Sequence, residues 1–303
     1  MILAELSHKE ICSRLDSRDG LLLFLGPFCL RLQIRLKELH APFIRLYADH
    51  QIAKDPAICD FRIDLKPHAG FSPWKKRARI TVDASTSFAP FPRPLSLAML
   101  EWAINWCTFS KPHQYFMLHS AVLEKNGRGI LLPGPPGAGK STLCAALALR
   151  GWRLLSDELA MMRPGSTDLI PVPRTVGLKG VSIEVIRDFA PEAVMGSAIQ
   201  GTRKGTVAHL KPLKEAIGRS SECTTPKWII FPTYKEGEPV RLEPASKAQT
   251  FIWLANDAFN FNVLGERAFE TLSDLIDSCS CHELGYGSLE EAAAFLSRLS
   301  EDA

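Results

Sequence analysis

Between Leu30 and Leu36 the chain alternates, with Leu30, Leu32, Ile34 and Leu36 apolar and Arg31, Gln33 and Arg35 polar between them. A period of two sends successive side chains to opposite faces, so the segment predicts a strand with one face buried. Phe61 to Leu65 and Arg77 to Asp83 repeat the alternation, and residues 20 to 83 together read as antiparallel strands. Gly26-Pro27 and the Pro and Gly residues around 67 to 73 punctuate them. After Pro90, Pro92 and Pro94 the period lengthens. Leu97, Leu100 and Ile104 predict a core-facing helix over about 95 to 109, with Trp102 and Trp106 adding bulk.

From residue 116 the pattern becomes α/β. Leu118 to Glu124 and Gly129 to Leu132 read as strands joined by Asn126-Gly127, a hairpin signal because both residues accept positive φ. A glycine-rich loop follows, then a helix over about 140 to 150 with Leu143, Ala146 and Leu147 inward and Gly151 as its C-terminal stop. Arg153 to Ser156 is the next strand and ends in Asp157-Glu158. Further strands are expected at 169–173 and 228–231. Helices are expected near 245–256, 266–278 and 288–300, the last opened by a Ser288/Glu291 capping box. This divides the chain into a β-rich N-terminal module (1–93) and an α/β domain (94–303). For the module two roles stand open, holding a substrate or covering an edge of the sheet, and the second is favoured.

Composition narrows the class. The 303 residues are 46% hydrophobic and 23% charged, the mix of a globular protein. Lys plus Arg (36) against Asp plus Glu (33) gives +3, and no dense basic stripe is present, so a nucleic-acid partner is not expected. No apolar run reaches the roughly 18 residues that span a bilayer, and the N-terminus does not read as a signal peptide. A cytoplasmic location, no membrane partner and reduced thiols follow as expectations for the eight cysteines. Cys279-Ser280-Cys281-His282 lacks a second ligand pair at zinc spacing and reads as core rather than as a metal site.

The chemistry concentrates between residues 134 and 158. Gly134-Pro135-Pro136-Gly137-Ala138-Gly139-Lys140-Ser141 is G-x4-G-K-S between a strand and a helix, the phosphate-binding P-loop pattern. Glycines let the backbone close around an anion, and free amides with the positive end of the next helix attract phosphate. Lys140 is expected to reach the β- and γ-phosphates, and Ser141 to ligate Mg²⁺. Thr142 completes the expected nucleotide-binding set. Asp157 and Glu158, at a strand's carboxyl end where ligands of open α/β sheets bind, suit a metal ligand and a base for an incoming hydroxyl. The other reading of the acid pair, an acidic loop or a helix cap, is equally open from spacing.

At these residues the chain resembles HPr kinase/phosphorylase, and more closely the group called HPr kinase-related kinase A. The segments that carry the likeness are His119 on the strand before the loop, the loop itself, Arg150 to Leu154, Asp157-Glu158, and Asn260-Phe261. Pro173-Arg174 through Lys179, and Lys204 to Leu210, extend the likeness to the narrower group. The resemblance implies a P-loop kinase fold akin to phosphoenolpyruvate carboxykinase, with transfer of the γ-phosphoryl group of ATP to a serine-type hydroxyl on a protein, peptide or small molecule. It implies Asp157 as general base, Glu158 and Ser141 at the metal, and His119 close enough to Asp157 to tune its pKa. Closed assemblies in the parent family leave a homo-oligomer open. Lys179, Arg203 and Lys204 are loop cations suited to the migrating charge. The chain also departs from the parent pattern. The second acid is Glu rather than Asp, the Glu-Ile-Arg-Gly-Leu-Gly signature survives only as Thr175 to Gly180 without its acid, and the parent's N-terminal domain is not evident. These departures argue against HPr as acceptor and against the reverse phosphorolysis. The alternative class is a nucleotide-binding regulatory or scaffold protein that has lost transfer.

Overall fold

The computed structural model describes residues 1–54, 58–69, 76–84 and 88–302, and it is a mixed α/β fold with several mixed sheets. The expected alternation in the N-terminal region is realised. Leu30, Leu32, Ile34 and Leu36 are buried, and Ile63, Leu65, Ile80 and Val82 join them in one core. The sheet orders Leu21–Leu25, Phe28–Ile34, Phe61–His68, Arg77–Val82 and Phe91–Pro92, the first two turning at Gly26 with φ of 55°.

Two expectations for this region need correction. Phe28–Ile34 and Phe61–His68 run parallel, not antiparallel, because a helix, Lys37–Tyr47, crosses over between them. Its buried Leu39, Phe43, Leu46 and Tyr47 follow a helical period, but Pro42 inside the helix, which removes one backbone donor, hid it from a reading by pattern. Pro67 also does not interrupt its strand. Pairing with Phe28–Ile34 ends at Leu65, so the missing N–H costs no bond on that side. Gly70 and Pro73, which were read as further punctuation, lie outside the described residues.

Helix Ser96–Ser110 forms as expected, and its Leu97, Leu100, Ala103, Ile104 and Cys107 pack into the same core as the N-terminal sheet.

The second large sheet orders Arg241–Pro244, Ser280–Tyr286, Thr225–Tyr234, Arg128–Pro133, Ser120–Lys125 and Arg153–Ser156. The expected hairpin is present, with Asn126 at φ 55° and Gly127 at φ 77°. Alternate residues feed two cores. Ala121, Leu123, Ile130 and Leu132 pack with helices Lys140–Leu149 and Leu289–Asp302. Val122 and Leu131 pack with Leu254, Leu272 and Leu275 of the helices on the other face. The expected strand at 169–173 is instead irregular extended chain with one bridge, Leu169 to Thr224. Pro171 and Pro173 have no N–H for a ladder, and the segment is tied by Ile170 and Val172 amides donating to Met161 and Leu155. Cys279 and Cys281 are buried in the core, and among the described residues no three His, Cys, Asp or Glu converge as a metal cage. No helix among the described residues is long and apolar enough to cross a membrane.

Candidate functional site

Register brings the two halves of the site together. Ser120–Lys125 is antiparallel to both Arg128–Pro133 and Arg153–Ser156, so those two strands point the same way although they are not neighbours. Pairing of Ser120 with Pro133 and of Val122 with Ser156 brings residue 134 and Asp157 out at one end of the sheet. Thr225–Tyr234 and Ser280–Tyr286 run parallel to Arg128–Pro133 and deliver Tyr234 and Tyr286 to the same end.

The 134–139 loop needs its glycines. Gly134, Gly137 and Gly139 have φ of 134°, 91° and 93°, where side chains other than glycine are strained. A Cβ on Gly139 would lie 2.6 Å from the Tyr286 hydroxyl. Pro135 and Pro136 are exposed; the Pro135 carbonyl accepts from the Ala138 amide at 3.3 Å. The amides of Gly137 and Gly139 have no hydrogen-bond acceptor among the described residues, and the first-turn amides of helix Lys140–Leu149 have none within the helix. Thr142 donates to the Ser182 hydroxyl at 2.9 Å, which ties the helix to its neighbour.

Lys140 is 9% exposed, and its ammonium donates to the Gly134 carbonyl and, at 3.1 Å, to the Pro135 carbonyl. Burial lowers its pKa, against the attraction of Asp257 and Asp157. It has no ion-pair partner among the described residues. An ammonium removed from water and left facing carbonyls only is a site for an anion.

Asp157 is 2% exposed. One carboxylate oxygen, Oδ2, accepts from the Gly177 amide at 2.9 Å, and the other, Oδ1, is buried without a hydrogen-bond partner. Burial first, then the charge of Glu158, raises its pKa to about 6, while the Gly177 bond, Arg174 and the Ser141 hydroxyl nearby pull the other way. Glu158 moves in the opposite direction. Burial pushes it up, but Arg174, Lys204, Lys179 and His119 together hold it below the ordinary glutamate range. Its Oε2 accepts from Asn105 and from Arg174, the latter at 3.5 Å.

His119 is half-buried, and burial followed by the charge of Lys140 lowers its pKa, so the ring is neutral near pH 7. The acids that act on it are Glu158 and Asp257. It is not among the main influences on Asp157, where the resemblance would have it.

Arg174 connects this site to the N-terminal region. It sits 3.6 Å from Glu101 and 3.5 Å from Glu158. Glu101 is buried on helix Ser96–Ser110 and accepts from Tyr47 at 2.9 Å and from Thr175 at 2.7 Å. Asn105, Glu101 and Tyr47 were not anticipated. Nothing in their local sequence marks them, since they reach the site only by packing across the chain.

A cavity of about 530 Å³ opens beside the acids. Its polar end carries Asp157, Glu158, Lys179, Arg203 and Lys204, so the acid pair and the three anticipated cations share one space. The lowered pKa of Lys179 reflects burial and then the nearby Lys204.

Other residues in the family-like segments hold structure. Arg153 pairs with Glu124 at 2.5 Å and donates to the carbonyls of Arg219 and Glu222. Trp152 is buried and donates to Ser297 at 3.2 Å. Gly151 turns at φ 88°. Asn260 is 2% exposed, accepting from the Met117 amide at 3.1 Å and donating to the Tyr115 carbonyl at 2.7 Å.

No protein-family model matches the chain, and no curated protein matches it.

Proposed function

We propose that this chain is an ATP- and Mg²⁺-dependent kinase of the HPr kinase-like, P-loop type that phosphorylates a hydroxyl acceptor. The observation that carries the reading is Lys140, a buried ammonium with no ion-pair partner among the described residues, at the end of a loop of positive-φ glycines whose Gly137 and Gly139 amides have no acceptor among them either. A triphosphate supplies the negative charge this arrangement lacks.

Hard oxygen donors favour Mg²⁺ in the same place. The Glu158 carboxylate and the Ser141 hydroxyl would form an oxygen set for a cation that keeps most of its waters, and the orphaned Asp157 Oδ1 is left to accept a proton. When bound, the ion would neutralise charge on the β- and γ-phosphates. Because Asn105 and Arg174 both engage Oε2 of Glu158, a metal would be left the other oxygen.

Asp157 suits the base. With a pKa of about 6 it is mostly ionised at pH 7 yet close enough to neutrality to hold a proton during the reaction. It takes the proton of the acceptor hydroxyl, whose oxygen forms the new bond to the γ-phosphorus. The bond from that phosphorus to the β–γ bridging oxygen breaks, and ADP leaves with the electron pair. Lys140, which Asp157 attracts, and the cavity-lining Lys179, Arg203 and Lys204 would supply positive charge around the group in flight. Neutral His119 adds no charge of its own beside Lys140.

Titration calorimetry with Mg·ATP tests the binding step, and ADP release with acceptor present tests transfer. Binding with no turnover on any hydroxyl acceptor would favour the scaffold alternative, and no binding would refute the reading altogether.

A further inference from the structure

The cavity beside the acids is also lined by apolar side chains. Phe88, Phe91, Leu95, Ala98, Met99 and Trp102 form one wall, contributed by the end of the N-terminal region and the first turns of helix Ser96–Ser110. Leu178 on strand Val176–Lys179 and Val207 on the antiparallel strand Gly205–Leu210 beside it line the same space. The Phe88 and Trp102 rings meet edge to face at 4.5 Å, which makes that side an aromatic surface. The cavity is therefore apolar along this wall, while Glu101, Arg174 and His209 line it together with the acid pair and the three cations.

From this we infer that the slot binds a small hydroxyl compound with an apolar body of about one ring, the hydroxyl directed at Asp157 and the body between the helix wall and the sheet. The inference depends on the phosphoryl-transfer reading only in making that compound the acceptor.

Two observations favour such a ligand over a peptide, and a third favours it over a polyol. A volume of about 530 Å³ is in the range of pockets that enclose small molecules, and it is small for an extended chain. The helix wall presents side chains rather than a strand edge to the cavity, so it offers no β-ladder to an extended chain. An extended peptide gains its affinity chiefly from such a ladder. Finally, each apolar side chain of the wall gains by being covered, whereas a glycerol-like polyol would cover none of it and leave its own hydroxyls unpaired.

The assignment also gives the N-terminal region a function. Its core is continuous with helix Ser96–Ser110, and Tyr47 holds Glu101 on that helix. The region thus fixes the wall that receives the ligand.

The test uses the full chain with 2-phenylethanol as probe, read by tryptophan fluorescence and saturation-transfer NMR, beside glycerol and a seryl hexapeptide. Saturable binding of 2-phenylethanol, with glycerol and the hexapeptide at least tenfold weaker, is expected. Ala98→Trp, which fills the slot, should abolish binding. Met99→Ser, a milder change if the first variant does not fold, should weaken it about tenfold, the worth of one partly buried methionine. 2-Phenylethanol should also stimulate ADP release from Mg·ATP. Equal binding of glycerol or the hexapeptide, or indifference to the folded variants, would overturn the inference. Mg·ATP binding without probe binding would overturn it and leave the nucleotide reading standing. Probe binding without Mg·ATP binding would leave the slot's ligand class standing and sink the kinase.

Discussion

Replacing Asp157 by Asn removes a charge and keeps the shape of a side chain that is 2% exposed. In the native protein that charge is costly. Holding the carboxyl at about 6 rather than 3.8 corresponds to at most about 3 kcal/mol, at about 1.4 kcal/mol per tenfold change in proton affinity. The sign follows from proton binding. Between pH 3.8 and about 6 the folded protein holds this proton more tightly than the unfolded chain, so stability falls as pH rises through that window. Above it the full cost is present. Asp157→Asn escapes the cost, and its amide oxygen can still accept from Gly177. The variant should therefore match the native protein near pH 4 and melt higher at pH 8 by at most about 6–12 °C, taking roughly 2–4 °C per kcal/mol. Turnover should fall by roughly 10²–10⁴, the usual worth of a general base, with Mg·ATP binding largely kept. Differential scanning calorimetry from pH 4 to 8, beside an ADP-release assay, measures both. A gap that does not widen with pH, or a variant less stable at pH 8, would refute the burial argument. Unchanged turnover would refute the role as base.

Three further outcomes are expected. Lys140→Met should weaken Mg·ATP binding about 10- to 100-fold in calorimetry, the loss of one charge-assisted contact of about 1.5–3 kcal/mol. Gly139→Ala should destabilise by about 1–3 kcal/mol in urea unfolding, because alanine is strained at φ 93° and its methyl would meet the Tyr286 hydroxyl; adding Tyr286→Phe should recover part of the loss. Tyr47→Phe should cost about 1–3 kcal/mol by depriving the buried Glu101 of a donor, read in the same unfolding assay.

How much of this was legible from the sequence varied with the range of the interaction. Asn126-Gly127 and Gly151 state their own backbone angles, and the structure has them at positive φ. The 134–141 segment likewise carries its requirements in consecutive residues, down to glycines that no other residue replaces cheaply. Helix Lys37–Tyr47 had the right spacing of apolar residues but carried a proline that normally ends a helix. The parallel strand pair it connects was missed with it. Arg174 was visible only as a member of a family-like segment, Lys204 also as a loop cation, and Asn105 and Glu101 not at all.

What the sequence determined by itself is the loop, the strand and helix on either side of it, and the acid pair at the tip of the next strand, because these rest on backbone preferences and periodicities that act over a few residues. What only the tertiary structure decided is the environment of that pair. Asn105 reaches Glu158 across 53 positions, Thr175 reaches Glu101 across 74, and Tyr47 reaches Glu101 across 54. Burial raises both adjacent carboxyls, and the cations gathered around Glu158 reverse the direction for that one alone, while apolar side chains of the helix wall line the cavity beside them. Dielectric surroundings and cavity shape are sums over distant neighbours, and no local stretch of chain encodes them.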